Sequence, residues 1–135
     1  VKIPVISSAD QARFIYNSDL TRIESTAFPW LYTSGLTGPV KYEVLLPAGA
    51  KHTYRVVLHF SEPEEKEAGQ RVFNVLLQGK EVLSSFDIVK EAGTPNTALV
   101  KEFPGSTAED SITIELKASE NGGPLLCAFE ISEIK

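Results

Sequence analysis

Apolar and polar residues alternate along most of the chain after residue 40, which is the period-2 pattern of half-buried β-strands. In the first such run, Tyr42, Val44 and Leu46 share one face, and Lys41 and Glu43 share the other. Further strands are predicted at residues 54–60, 73–77, 81–83, 97–103, 112–116 and 125–131. The pattern therefore predicts a chain built mainly of short strands.

Turn-forming residues separate these strands. A Pro-Ala-Gly sequence at 47–49 follows the first strand, Gln-Gly at 78–79 predicts a tight hairpin, and Pro-Gly at 104–105 is expected to end the strand at 97–103. A longer polar and acidic loop is predicted at 61–70. Because short strands of this kind must bury their apolar faces against one another, we expect an all-β fold with two antiparallel sheets packed as a β-sandwich.

The N-terminal part of the chain has a weaker pattern. Residues 12–16 predict one strand, whereas residues 21–30 show no usable period and are expected to be irregular. With 135 residues, of which 42% are hydrophobic, the chain has the size and composition of one globular domain, so residues 1–135 are assigned to a single β-sandwich. The chain begins at Val1 without Met or a signal peptide, which suggests a piece of a larger secreted protein.

Charge and cysteine content narrow the classes of partner. The formal net charge is -5 and the basic residues are scattered, so the concentrated basic face that nucleic-acid binding needs is not expected. No apolar stretch approaches the roughly 20 residues of a membrane-spanning helix, so membrane insertion is not expected either. Cys127 is the single cysteine, which excludes an intramolecular disulfide and an all-cysteine metal site.

The residue pattern does not favour catalysis. A catalytic nucleophile needs a base within hydrogen-bond reach, and the two histidines, His52 and His59, are spaced so that they point to opposite faces of one strand. Cys127 and His59 form a conceivable pair. Cys127, however, occupies an inward position of a predicted strand, which favours core packing over reactivity.

The loop at 61–70 contains four acidic residues close together: Glu62, Glu64, Glu65 and Glu67. The first interpretation is a solvated charge run, and the second is a structural calcium site, since hard cations prefer several oxygen ligands. The spacing does not match a defined calcium loop, so no cofactor is predicted and structural calcium remains the alternative. Glycoside hydrolysis would need two carboxylates at a set separation, which this run does not specify.

Three aromatic residues with strand-like spacing, Phe28, Trp30 and Tyr32, are candidates for contact with a sugar. Aromatic rings stack on the apolar face of a pyranose, while amides and carboxylates bind its hydroxyls. The same spacing is compatible with burial beneath the sandwich. Exposure of these rings distinguishes the two interpretations.

Four segments carry a resemblance to a known family. They are LYTSG at 31–35, YRVVLHFSE at 54–62, GQRVFNVLLQGKEVLSSFDIVKEAG at 69–93 and GGPLLCAFEI at 122–131. Together with PNTALVKEF at 95–103, they resemble malectin domains, especially the bacterial versions appended to larger secreted proteins. The resemblance implies a jelly-roll-like, galactose-binding-like sandwich located outside the cell, in the periplasm or at the cell surface.

The resemblance also implies a site, and this sequence departs from it. Malectin binds a terminal glucose disaccharide of N-glycans in a groove of aromatic residues carried by loops at one end of the sandwich. Where the family has a Tyr-Phe pair after the HFSE segment, this chain has Glu64 and Glu65, and where the family has an acidic residue before the last strand it has Gly122. The aromatic residue that follows the LY segment in the family is absent, and Tyr32 remains.

These observations predict a non-catalytic carbohydrate-binding module of malectin type, with poly- or oligosaccharide such as glucan as ligand and neighbouring domains of a parent protein as partners. The predicted end-loop site uses Trp30, Tyr32, Glu64, Glu65 and Asn121. The alternative is a structural or protein-interaction module that has kept the fold and lost the sugar site.

Overall fold

The predicted strands can be compared with a computed structural model, which describes residues 5–7, 12–15, 32, 34–46, 51–64, 66–119 and 122–134. Within these residues the elements are β1 Val5–Ser7, β2 Ala12–Ile15, β3 Ser34–Thr37, β4 Val40–Leu45, β5 His52–Phe60, β6 Phe73–Leu77, β7 Lys80–Phe86, α1 Ile88–Ala92, β8 Leu99–Ala108, β9 Ser111–Ala118, β10 Leu125–Leu126 and β11 Ala128–Glu133. The strand expected at 12–16 is present as β2. The irregular segment expected at 21–30 lies outside the described residues.

The strands form antiparallel sheets that bury a common core. A five-stranded sheet has the order β1-β4-β9-β6-β7, and two three-stranded sheets have the orders β11-β5-β8 and β10-β3-β2. Val56 and Leu58 of β5 pack in one cluster with Ile112 and Ile114 of β9, and all four side chains are 0% exposed. The prediction of an all-β antiparallel sandwich is confirmed.

Three phenylalanines fill the core beneath the loop that follows β5. The ring centroid of Phe60 lies 4.8 Å from that of Phe86 and 6.0 Å from that of Phe73, and Phe73 meets Phe86 edge to face at 5.5 Å. Such aromatic pairs each contribute about 0.5–1.5 kcal/mol beyond their buried area. Since Phe60 ends β5 and Phe73 begins β6, the loop between them is fixed at both ends to rigid core.

The Gln78-Gly79 hairpin is confirmed. Both residues have positive φ, 53° and 77°, as a type I′ turn requires, and they join β6 directly to β7. The Gln78 side chain also accepts a hydrogen bond from the Thr113 backbone N–H at 2.8 Å. The hairpin is thereby held against the neighbouring strand β9.

The expectation that Pro-Gly at 104–105 ends a strand is wrong. Strand β8 continues to Ala108, and its pairing with β5 shifts register so that Tyr54 lies opposite Ser106 and Arg55 opposite Pro104. Gly105, with φ of 93°, is the extra residue of a β-bulge. Proline is tolerated here because β8 is an edge strand.

The single strand predicted at 125–131 is divided in two. Cys127 separates β10 from β11, which belong to different three-stranded sheets. The short helix α1 was not predicted; Asp87 caps its start by accepting from the Lys90 N–H at 3.1 Å, and Gly93 ends it in the left-handed conformation.

Candidate functional site

The loop between β5 and β6 contains a buried ion pair. Glu62 is 0% exposed and Arg71 is 4% exposed, and the Arg71 Nε–H donates to Glu62 Oε1. The interpretation of the acidic loop as a solvated charge run is therefore wrong for Glu62, because a buried cation compensates its charge. Glu64 and Glu67 are exposed, as a solvated run predicts, and Glu65 lies outside the described residues.

The Arg71 guanidinium joins this loop to the segment before β10. Its Nη2 donates to Glu64 Oε2 at 2.9 Å, and its Nη1 donates to the carbonyl oxygens of Gly122 at 3.0 Å and Gly123 at 3.2 Å. The planar guanidinium is suited to this because its donors diverge in a fixed geometry. We call Glu62, Glu64, Arg71, Gly122 and Gly123 the Arg71 clamp.

A third segment is attached to the same loop through the Glu62 backbone. The Glu62 carbonyl accepts from the Asn96 N–H at 2.9 Å, and its side-chain Oε2 accepts from the Glu64 N–H at 3.3 Å. Three chain segments far apart in sequence thus meet at one end of the sandwich. This is the end at which the family resemblance placed the sugar groove.

Gly122 has a structural reason to lack a side chain. Its φ is 78°, and a Cβ at this position would clash with the Gln70 carbonyl oxygen and approach Arg71 Cα to 3.0 Å. An acidic residue of the kind the family places here does not fit against this backbone. The exchange of a carboxylate for glycine is therefore coupled to the close approach of residues 70–71.

Tyr32 is buried, with 3% of its surface exposed. Its hydroxyl lies 2.8 Å from His59 Nδ1, and His59 Nε2 lies 2.8 Å from Glu130 Oε2. A consistent assignment has the tyrosine O–H donating to Nδ1 and the Nε2–H donating to the carboxylate. Burial raises the pKa of Tyr32, with smaller contributions from Cys127 and Glu130. The ring packs in the interior and has no free face for stacking on a sugar.

Cys127 and His59 do not form a nucleophile–base pair. The Cys127 thiol is directed towards the carbonyl oxygens of Ser61 at 3.8 Å and Tyr32 at 3.9 Å, and both ring nitrogens of His59 already have partners. Burial raises the pKa of Cys127 to about 12, which keeps the thiol protonated at neutral pH. The core interpretation of Cys127 fits this geometry.

Of the predicted site residues, the structure describes Tyr32, which is buried, and Glu64, which is exposed. Glu64 is at the surface of the Arg71 clamp with its side chain 55% exposed, and within the described residues its Oε1 has no hydrogen-bond partner. Trp30, Glu65 and Asn121, like Phe28, lie outside the described residues. Sequence reasoning missed Arg71, because its spacing of nine residues from Glu62 follows no strand or helix period.

Neither a metal site nor a membrane span is found in the part of the chain that the structure describes. No group of three or more His, Cys, Asp or Glu side chains is placed to hold a metal ion there. None of the helices in those residues has the length and apolar character that crossing a membrane would require.

Comparison with protein families identifies the fold family. The sequence matches the Malectin domain family over residues 6–132. The chain belongs to the malectin domain family. The resemblance carried by the strand segments is confirmed.

The malectin domain is similar to parts of larger plant proteins. A probable leucine-rich repeat receptor-like serine/threonine-protein kinase of Arabidopsis thaliana is 28% identical over 132 residues, which cover 85% of this chain and 13% of that protein. The ANXUR1 extracellular domain from Arabidopsis thaliana has a TM-score of 0.81 at 18% identity, with 97% of this chain and 40% of that chain covered. Because these two relatives are plant proteins, they leave the bacterial assignment made from sequence unconfirmed.

A third similarity is to a receptor complex. One chain in the crystal structure of the plant peptide RALF23 in complex with FER and LLG2 has a TM-score of 0.75 at 17% identity. The match covers 90% of this chain and 38% of the matched chain. At this level of identity the likeness concerns the fold. This chain spans 13% of the receptor-like kinase, 40% of the ANXUR1 chain and 38% of the matched chain in the RALF23 complex.

Proposed function

We propose that this malectin domain is a non-catalytic carbohydrate-binding module of a larger extracellular protein. The family match over residues 6–132 supports a malectin-type recognition domain. The ANXUR1 likeness, which covers 40% of an extracellular domain, supports a setting outside the cell beside neighbouring domains. The protonated, carbonyl-directed Cys127 thiol and the fully partnered His59 ring support a binding role over a catalytic one.

The observation that carries the proposal is the Arg71 clamp. One guanidinium donates to a buried carboxylate, an exposed carboxylate and two backbone carbonyls, and so holds two loops in one arrangement. A binding surface that is fixed before the ligand arrives loses less conformational entropy when the ligand binds. The clamp therefore provides a preorganised loop end on a rigid sandwich.

The clamp leaves one ligand-binding group, the Glu64 carboxylate, exposed at the surface. Glu64 Oε1 is free to accept a hydrogen bond from a sugar hydroxyl, because Oε2 is the oxygen that Arg71 occupies. Glu65 directly follows Glu64 in sequence, and Asn121 directly precedes Gly122. We propose that these carboxylate and amide side chains, together with the Trp30 ring, bind a neutral oligosaccharide such as a glucan fragment.

Calorimetric titration of the folded domain against a panel of neutral oligosaccharides tests the proposal. We expect weak binding, because an exposed site buries little of its ligand. Glu64→Gln should weaken binding by up to about tenfold, because the sugar hydroxyl would then donate to a neutral amide oxygen, and hydrogen bonds to charged acceptors are roughly twice as strong. Glu67→Gln is the matched control, since Glu67 is an exposed carboxylate of the same loop that makes no ion pair with Arg71. Folded protein that binds no member of the panel contradicts the proposal.

The second candidate function is protein interaction, and two apolar side chains favour it. Val57 of β5 and Val100 of β8 lie on the outer face of the β11-β5-β8 sheet, and Val100 is 46% exposed. The fold likeness to the RALF23–FER–LLG2 complex is consistent with this role. Val100→Glu should abolish protein binding while leaving saccharide titrations unchanged, so one substitution separates the two functions.

A further inference from the structure

The Arg71 clamp holds only part of the loop between β5 and β6. The Arg71 guanidinium fixes Glu62 and Glu64, and the Glu62 carbonyl accepts from the Asn96 N–H. None of these bonds reaches residues 66–70, which are mostly exposed and which we call the outer loop. The position of the outer loop is therefore set by other contacts.

Asp87 is a buried residue that contacts the outer loop. It is 6% exposed, and its Oδ2 accepts a hydrogen bond from the Gly69 N–H at 2.5 Å. Its other oxygen, Oδ1, accepts from the Lys90 N–H at 3.1 Å as the cap of α1. A carboxylate offers two acceptor oxygens, so it can serve both donors at once. One side chain thus bonds the outer loop to the start of α1.

Asp87 is itself held in place by the core on both sides in sequence. It directly follows Phe86, whose ring packs against Phe60, and it directly precedes Ile88, which is 1% exposed. A side chain between two core residues has little freedom to follow a moving loop. The bond to Gly69 therefore attaches the outer loop to the core.

The outer loop is closed on itself and joined to Glu64. Gln70 accepts from the Glu67 N–H through its side-chain Oε1 at 2.8 Å and donates its own N–H to the Glu67 carbonyl at 3.2 Å. Because Gly69 lies within this closed turn, a bond to Gly69 positions the whole turn. The Lys66 N–H donates to the Glu64 carbonyl at 2.8 Å, and Lys66 Nζ lies 4.0 Å from Glu64 Oε2.

A cleft of about 440 Å³ lies between the outer loop and α1. Residues 66–68 line one side, and residues 89–90 and 93–95 line the other. Gly69 directly follows the first side and Lys90 belongs to the second, so the two bonds of Asp87 hold both sides. Since residue 66 also lies beside Glu64, the cleft adjoins the carboxylate that the proposed function assigns to the saccharide.

We infer that Asp87 is a positioning residue of the saccharide site: its carboxylate fixes the outer loop against α1 and so sets the width of the cleft beside Glu64. The inference rests on the proposed function. Asp87 does not touch the ligand and acts through Gly69 and the outer loop. A loop that is fixed in the free protein does not have to be ordered when the ligand binds, which favours binding.

The variant Asp87→Ser separates the loop bond from the helix cap. Serine caps helices about as well as aspartate, but it has a single side-chain oxygen, so the cap is kept and the Gly69 N–H loses this acceptor. Binding should weaken about three- to tenfold in calorimetric titration of the folded domain with neutral oligosaccharides. Asp110→Ser is the matched control, because Asp110 is an exposed aspartate in the turn between β8 and β9.

Nuclear magnetic resonance of the free Asp87→Ser domain gives the readout that a purely structural role would not change. Backbone order parameters of residues 66–70 should fall from a rigid value of about 0.85 to below about 0.6, while those of α1 stay unchanged. The Gly69 amide proton should shift upfield, and the Lys90 amide proton should not. A purely structural role would lower the urea midpoint and leave the order parameters and the affinity of the folded protein as in the wild type.

Asp87→Asn is the second variant, and it tests the inference if Asp87→Ser does not fold. It keeps the size of the side chain but has one acceptor oxygen for two N–H donors. The amide shifts of Gly69 and Lys90 show which donor has lost its bond to residue 87. Affinity should fall if that donor is Gly69 and should be unchanged if it is Lys90, and the reverse pattern overturns the inference.

The outcomes separate the two claims. If Asp87→Ser binds saccharide as tightly as the wild type, whether or not its outer loop has loosened, the inference is overturned and the proposed function stands. Equal weakening by Asp87→Ser and Asp110→Ser also overturns the inference alone. If the folded wild type binds no saccharide, the proposed function is overturned and the inference with it.

Discussion

Replacing Arg71 with alanine should be strongly destabilising, because it leaves the Glu62 carboxylate buried without a counter-ion. Glu62 is 0% exposed, and its Oε1 accepts from the Arg71 Nε–H. Removal of one partner of a buried pair costs about 3–5 kcal/mol. The Gly122 and Gly123 carbonyls lose a donor in the same substitution. A cost of this size is a large part of the roughly 5–15 kcal/mol by which domains are stable.

Urea unfolding followed by circular dichroism measures this cost. For a slope of about 2 kcal/mol per M, the Arg71→Ala midpoint should fall by about 1.5–2.5 M. Glu64→Ala removes a partner that is 55% exposed, so its cost should be at most about 1 kcal/mol. Arg71→Lys keeps the charge but loses the divergent donors, and its cost should lie between the two.

The double variant Glu62→Leu/Arg71→Leu separates charge burial from loss of packing. It removes both charges, so it should be more stable than Arg71→Ala, as replacement of buried ion pairs by apolar residues generally shows. The reasoning is refuted if Arg71→Ala and Glu64→Ala cost the same, or if the double variant is less stable than Arg71→Ala. Either result would mean that an uncompensated Glu62 charge is not the main cost of removing Arg71.

Three further predictions concern other parts of the domain. The free energy of unfolding should decrease as pH rises from 9 towards 12. Burial raises the pKa values of Cys127 and Tyr42 to about 12 in the folded protein, whereas in the unfolded chain these groups lose their protons near pH 9 and 10. Cys127→Ala should reduce that slope in unfolding titrations. Gly122→Asp should lower the free energy of unfolding by about 2–3 kcal/mol, because the backbone is left-handed and the side chain clashes with residues 70–71. The matched control Gly79→Asp has a similar φ of 77° and nothing within 4 Å, so it should lower the same quantity by about 1 kcal/mol in the urea assay. Neither calcium nor chelator should change the melting temperature, because the Arg71 cation already lies between the acidic side chains, and a calcium-dependent rise would reveal a bound ion.

The strands were predictable because each carries its own local pattern. Tyr42 and Val44 are buried as their alternation indicates, and Leu46 packs against the same core. The Gln78-Gly79 turn was predictable because its two residues tolerate positive φ. These features depend on residues that are close in sequence, so a stretch of two to seven residues is enough to predict them.

The features that were missed depend on contacts distant in sequence. In the sequence, Glu62 looks like one member of a charge run. Arg71 comes beside it only when β5 and β6 pack together in the folded protein. Pro-Gly at 104–105 has the sequence of a strand end. The bulge that lets β8 continue through it is defined only by the shifted pairing with β5, which the sequence does not show. Cys127 continues the alternation of 125–131 although the chain changes sheets there.

A crystal structure of the domain grown with a saturating neutral oligosaccharide tests the central claim most directly. The account predicts a sugar on the Arg71 clamp, with a hydroxyl group within hydrogen-bond distance of Glu64 Oε1 and with Arg71 still bound to Glu62. A saccharide bound elsewhere with the clamp surface unoccupied, or a clamp that opens to admit the sugar, would contradict it.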